Sequence, residues 1–149
     1  MQHSTYSERT PTRQELRRLA AEGKLTGPAV DLMSPTKPAE ELYDTQADPH
    51  QVRNLAGDPE HEDRLVSMRA RLHTWMVATR DTSLLPEVDM CRRSEGGSPY
   101  MMARGKSPFH VPRVLNAAEL VGRGPGQLDR LRENLGARDP AVQYWAAMG

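Results

Sequence analysis

The side chains in this sequence that could do covalent or acid–base chemistry are few and scattered. Cys91 is the single cysteine, set in Cys91-Arg92-Arg93-Ser94-Glu95. A lone thiol excludes an internal disulfide and any zinc site needing two thiolates from this chain, and it reads as a buried or loop thiol. Asp44 and Asp48 stand four residues apart and could share a cation, but the spacing fits no calcium loop, and turn or capping chemistry accounts for both. The five histidines (His3, His50, His61, His73 and His110) show no paired ligand spacing, and no Ser-His-Asp arrangement or phosphate-cradling glycine loop can be picked out. That leaves Arg92 and Arg93, adjacent guanidinium groups that suit an anion and otherwise read as a solvated basic turn.

The elements that must position these groups come from a chain with little apolar material. Only 37% of the 149 residues are hydrophobic and 5% aromatic, with 12 prolines, so a small or incomplete core and much loop are expected. Twenty Lys and Arg balance twenty Asp and Glu, and the basic residues are scattered, which argues against a nucleic-acid partner and against an anionic membrane surface. The first ten residues hold no apolar run that could act as a signal peptide, and no later stretch is long enough to span a bilayer, so the chain alone reads as soluble and unexported.

A first short helix is signalled by Thr12 with Glu15 as a capping box, then Leu16, Leu19 and Ala20, and Gly23 as the stop. A second weak helical stretch runs toward Met33, where Ser34-Pro35-Thr36-Lys37-Pro38 forces extended backbone. Glu40-Glu41-Leu42-Tyr43-Asp44 reads as a short strand needing a sheet to join. Three Asp-Pro pairs start helices, because aspartate accepts from free amides while proline occupies the first helical position. Asp48-Pro49 opens a turn, Asp58-Pro59 opens a long amphipathic helix to about Thr79, and Asp139-Pro140 opens the last helix. In the long helix Leu65, Met68, Leu72, Trp75, Met76 and Thr79 form one apolar stripe, expected to pack on a sheet or helix. From Asp81 to Val111, including Ser107-Pro108, the pattern dissolves into what reads as a loop over another surface. After Pro112 come short helical stripes at Val114, Leu115, Ala118 and Val121, then at Leu128, Leu131 and Leu135, then at Val142, Trp145 and Ala146.

Two of these stretches resemble a known family. Lys37-Pro38-Ala39-Glu40-Glu41-Leu42-Tyr43-Asp44, followed by Asp48-Pro49-His50-Gln51-Val52-Arg53-Asn54-Leu55-Ala56 and the long helix, is similar to the C-terminal subdomain of bacterial arylsulfatase-type sulfatases. The likeness runs from about Leu16 to Thr79, with Thr45 standing where the family usually has an apolar residue. The closing stretch, Leu128 to Gly149, resembles the start of a HEAT-type helical repeat. Together the two cover more than half of the chain. The resemblance implies an α+β fragment: a sulfatase subdomain over residues 1–80 with a short strand and a long helix, a linker over 81–111, and truncated HEAT-like helices over 112–149. The parent fold it implies is alkaline-phosphatase-like.

The same resemblance implies a chemistry that this chain lacks. Such sulfatases hydrolyse sulfate esters with a formylglycine, made from the Cys or Ser of a Cys/Ser-x-Pro-x-Arg motif, beside a divalent metal, with calcium expected. None of the twelve prolines here has a Cys or Ser two positions before it, so no catalytic residue or cofactor is expected on this chain. The implied partners are a missing N-terminal sulfatase domain and a sulfated saccharide or aryl sulfate, in a periplasmic or extracellular parent. Arg92 and Arg93 become candidates for the rim of that parent's substrate site. The alternative is a free-standing helical-repeat module that binds another protein through the stripes at Val114 to Val121 and Leu128 to Leu135.

Overall fold

The computed structural model describes residues 5–105 and 109–149; the Ser107-Pro108 part of the expected loop and the extreme N-terminus fall outside them. By its internal contacts the chain divides into two compact units, Met1–Leu55 and Ala56–Gly149.

The first unit holds three helices, α1 (Thr5–Glu8), α2 (Pro11–Ala21) and α3 (Pro28–Leu32). Helix α2 begins earlier than the Thr12 capping box would place it. Thr10 is the N-cap and Pro11 the first helical residue, and the Thr10 hydroxyl donates to the Ser7 carbonyl instead of capping an amide. The stop at Gly23 holds, since its φ of 65° is the left-handed backbone that favours glycine.

No strand is present among the described residues, which corrects the α+β expectation. The physical reason lies at Leu42. Its N–H donates to Asn54 Oδ1 at 2.9 Å, its carbonyl accepts from the Leu55 N–H at 2.8 Å, and the Asn54 amide donates to the Glu40 carbonyl at 3.2 Å. One side-chain amide thus supplies much of the pairing that a neighbouring strand would have supplied. The backbone at Glu40 and Leu42 is held by Asn54 and Leu55, with Leu42 and Leu55 buried, and no ladder forms.

The second unit is built of helices. Asp58 accepts from the Glu60 N–H at 3.0 Å and starts a tight turn over Pro59–His61 that runs into α4 (Glu62–Thr79). The expected loop after it contains two short helices, α5 (Glu87–Ser94) and α6 (Pro99–Arg104). They are followed by α7 (Val111–Ala118), α8 (Leu128–Leu135) and α9 (Pro140–Met148). Helix α9 packs against both α7 and α8, and α5 against α6. The core joins Leu85, Ala103, Phe109, Val111, Val114, Ala117, Ala137, Ala141 and Val142, with Trp145 packed on it. The Trp145 indole N–H donates to the Leu84 carbonyl at 2.8 Å, so this aromatic anchors the segment after α4 without leaving its polar atom unpaired.

The stripe on α4 is only partly absorbed by that core. Met76 is buried, whereas Met68, Leu72 and Trp75 are exposed. None of the described helices is long and apolar enough to cross a membrane.

Candidate functional site

Arg92 and Arg93 lie on the last turn of α5, not in an irregular loop. Asp89, one turn earlier, is buried and accepts from both: Arg92 at 2.7 Å through Oδ1 and Arg93 Nε at 2.7 Å through Oδ2. Arg93 then reaches 46 residues ahead, and its Nη2 donates to Asp139 Oδ1 at 2.5 Å. Asp139 is itself the N-cap of α9 and accepts from the Ala141 N–H at 2.9 Å. Burial of the Arg93 guanidinium works against its charge, and the carboxylates of Asp139 and Asp89 more than offset that, holding the group charged above its ordinary range.

The two arginines therefore differ in what they can do. Arg93 is a half-buried clamp between α5 and the start of α9, with its donors committed to carboxylates. Arg92 leaves about two-thirds of its side chain, 65%, in water and shares only one oxygen of Asp89. Its remaining donors can meet an anion.

The other singled-out residues are placed apart. Cys91 is an exposed thiol on α5. Asp44 accepts from the Gln46 and Ala47 amides, and Asp48 from the Val52 and Arg53 amides, which is the turn chemistry that their types suggest. The Asp48-Pro49 turn does not become a helix, because Gln51 adopts a left-handed φ of 53°. His110 Nδ1 accepts from the Arg113 N–H at the start of α7, and His73 Nε2 meets Glu119 Oε1 at 2.6 Å, linking α4 to the end of α7. Among the described residues no three His, Cys, Asp or Glu side chains stand close enough together to hold a metal ion.

In the first unit the charged side chains serve structure. Glu8 takes Arg17 and Arg13 together, with Arg17 Nη2 at 2.6 Å and Arg13 Nε at 3.2 Å. The hydrogen bonds from Arg17 pull its carboxyl down to about 2, against a smaller upward push from desolvation, with Arg13 adding to the lowering. A carboxyl depressed in the folded state stabilises fully above its ordinary value of 4.5 and loses that contribution as pH falls toward 2. Amide exchange in α2 is accordingly expected to quicken as pH falls from 4.5 to 2, after correction for intrinsic rates. Glu8→Gln is expected to flatten that dependence.

Comparison with known proteins bears on this chain at one place. It is 43% identical over 93 residues to an ulvan-active sulfatase of Formosa agariphila (strain DSM 15362 / KCTC 12365 / LMG 23005 / KMM 3901 / M-2Alg 35-1), a stretch that covers 62% of this chain and 16% of that protein. The chain contains a sulfatase-related region. Only 56 residues lie outside a 93-residue stretch of a 149-residue chain, so wherever that stretch begins it includes residues 57–93. Helix α4 and the Arg92–Arg93 pair are therefore inside it. No protein-family model and no solved structure matches the chain.

The arginine pair is legible in the sequence; the two carboxylates that divide its roles are less so. The Asp89–Arg93 spacing of four was a readable helical signal. Asp139, read as a helix starter, gave no local sign of a second partner so far away in the sequence.

Proposed function

We propose that this chain is the C-terminal portion of a formylglycine-dependent sulfuric ester hydrolase and that it carries no catalytic group of its own. The observation behind this reading is the 43% identity over 93 residues to a sulfatase, in a match that spans 16% of the sulfatase's length. The nucleophile-bearing motif, the divalent metal and most of the substrate site then belong to an N-terminal domain of the same polypeptide, and the substrate is a sulfated saccharide or aryl ester. Helices α8 and α9 form the start of a HEAT-like helical repeat in this reading. The upstream coding sequence tests it: an in-frame Cys/Ser-x-Pro-x-Arg segment is expected, and its absence there and in the adjacent genes would remove the reading.

On this account Arg92 is the rim residue that meets the substrate's negative charge, and Arg93 fixes the helix that carries it. An exposed charge-assisted contact is worth roughly 1 kcal/mol, so Arg92→Ala in the complete polypeptide should raise KM about fivefold and leave kcat unchanged. An unchanged KM would take Arg92 off the rim.

A second reading, a helical module that binds another protein, draws on the second unit's possession of a core of its own. It predicts no sulfatase motif upstream.

A further inference from the structure

Arg13 carries the one side-chain polar atom among the described residues that is buried without a hydrogen-bond partner, its Nη2. The side chain is more than nine-tenths buried, with 9% exposed. Buried N–H groups are paired almost without exception, because a donor taken from water without an acceptor costs stability. An unpartnered donor on a buried cation points to an anion.

The shape of that anion follows from its neighbours. Each guanidinium presents a fork made of its Nε and Nη2 N–H groups. Arg17 closes its fork on Glu8, Nε donating to Oε2 and Nη2 to Oε1, the latter at 2.6 Å. Arg13 closes only half of its own: Nε donates to the same Oε1 at a longer 3.2 Å, and the adjacent Nη2 donates to nothing described. A carboxylate has two oxygens, and Arg17 already engages both. Two forks side by side suit a group with a third oxygen outside the carboxylate plane.

We propose that Arg13 and Arg17 form a binding site for a tetrahedral oxyanion, either inorganic sulfate or phosphate or the half-ester of one of them on a saccharide. Glu8 fills the site as an internal surrogate when no such anion is bound, and the three side chains are then structural. Nothing in this site requires the chain to be part of a sulfatase.

Charge and position agree with the geometry. One carboxylate faces two guanidinium groups, and Glu15 and Glu22 pair instead with Arg18, so a dianion would balance what Glu8 leaves unbalanced. Arg13 is the third residue of α2, whose N-cap Thr10 makes no side-chain cap, and the helix dipole favours negative charge at that end. Glu8 is also easy to displace. It ends α1, a four-residue helix with no buried residue, and so short a helix has little stability of its own.

Isothermal titration of the 149-residue chain with sodium sulfate, at an ionic strength held constant with chloride, tests the site. Glu8→Ala is expected to bind sulfate about tenfold more tightly than the unaltered chain, the factor gained when an internal occupant filling a site about nine-tenths of the time is removed. Glu8→Gln, closer in shape, should shift affinity in the same direction. Adding Arg13→Lys to Glu8→Ala keeps the charge but not the fork, and should weaken binding about tenfold. Acetate, with only two oxygens, should bind Glu8→Ala more weakly than sulfate does. Circular dichroism confirms that each variant keeps its helix content. No tightening in either Glu8 variant would overturn the proposal and leave Arg13 Nη2 to a buried water. Equal affinity for acetate and sulfate, or an Arg13→Lys chain that binds as well as its parent, would overturn it too. Inorganic phosphate, and a sulfated monosaccharide beside its desulfated parent, identify the source of the anion. Tighter binding of the sulfated sugar than of either inorganic ion assigns the site to saccharide half-esters, and the reverse order assigns it to the free ion that binds best.

Discussion

A chain carrying Val142→Asp is expected to lose most of the stability of the unit from Ala56 to Gly149. Val142 is fully buried, in a core that joins α7, α9 and the segment around Leu85. A carboxylate there would be taken out of water with no cation or donor provided for it, at a cost of about 4 kcal/mol or more. A domain of this size has on the order of 5–10 kcal/mol in total, so the denaturation midpoint should fall by about 40–80%. Val142→Ala removes only volume and should cost about 1–2 kcal/mol. Urea titration followed by helix content distinguishes the two. Equal, small shifts would mean that α9 does not seat Val142 in the core.

The next largest effect is expected at Arg93. Arg93→Ala leaves Asp89 buried with only the exposed Arg92 to pair it, and takes from Asp139 the cation that fixes the start of α9. Breaking a fully buried pair costs about 3–5 kcal/mol, and the fraction of Arg93 still in water brings the expectation to about 2 kcal/mol. Arg93→Lys should recover less than half of this, because a single ammonium does not reach both carboxylates in the forked geometry. Asp139→Ala should lose the clamp and the helix cap together, whereas Arg92→Ala should change stability little. If Arg92→Ala proved as destabilising as Arg93→Ala, the division of roles between the two arginines would be wrong.

The long helix was legible because its start and its period are both local properties: Asp58-Pro59 sets the beginning, and apolar residues recur through Thr79. The stripe on α7 and the Asp139-Pro140 start of α9 were readable for the same reason. Helices α5 and α6 were missed although one signal was present. Ser98 caps α6 by accepting from the Met101 N–H, with Pro99 at the first position, the same chemistry as the Asp-Pro pairs but with a hydroxyl. The error at Glu40–Asp44 has a different source. Alternating side chains describe a strand only when a neighbouring backbone is available, and the structure supplies the Asn54 amide instead. The apolar stripe of α4 is expected from its spacing to pack on a sheet or helix, yet the core takes only the side that carries Met76 and leaves Met68, Leu72 and Trp75 exposed, because composition and spacing do not say what covers a face.

In the proposed function this chain is a non-catalytic part of a sulfate ester hydrolase. Its most direct test is the release of inorganic sulfate from a chromogenic aryl sulfate and from a sulfated polysaccharide, measured for the 149-residue chain and for the complete polypeptide that contains it. The account predicts turnover by the complete polypeptide and none by the chain alone at equal molarity. Turnover by the isolated chain, or none by the complete polypeptide on either substrate, would contradict it.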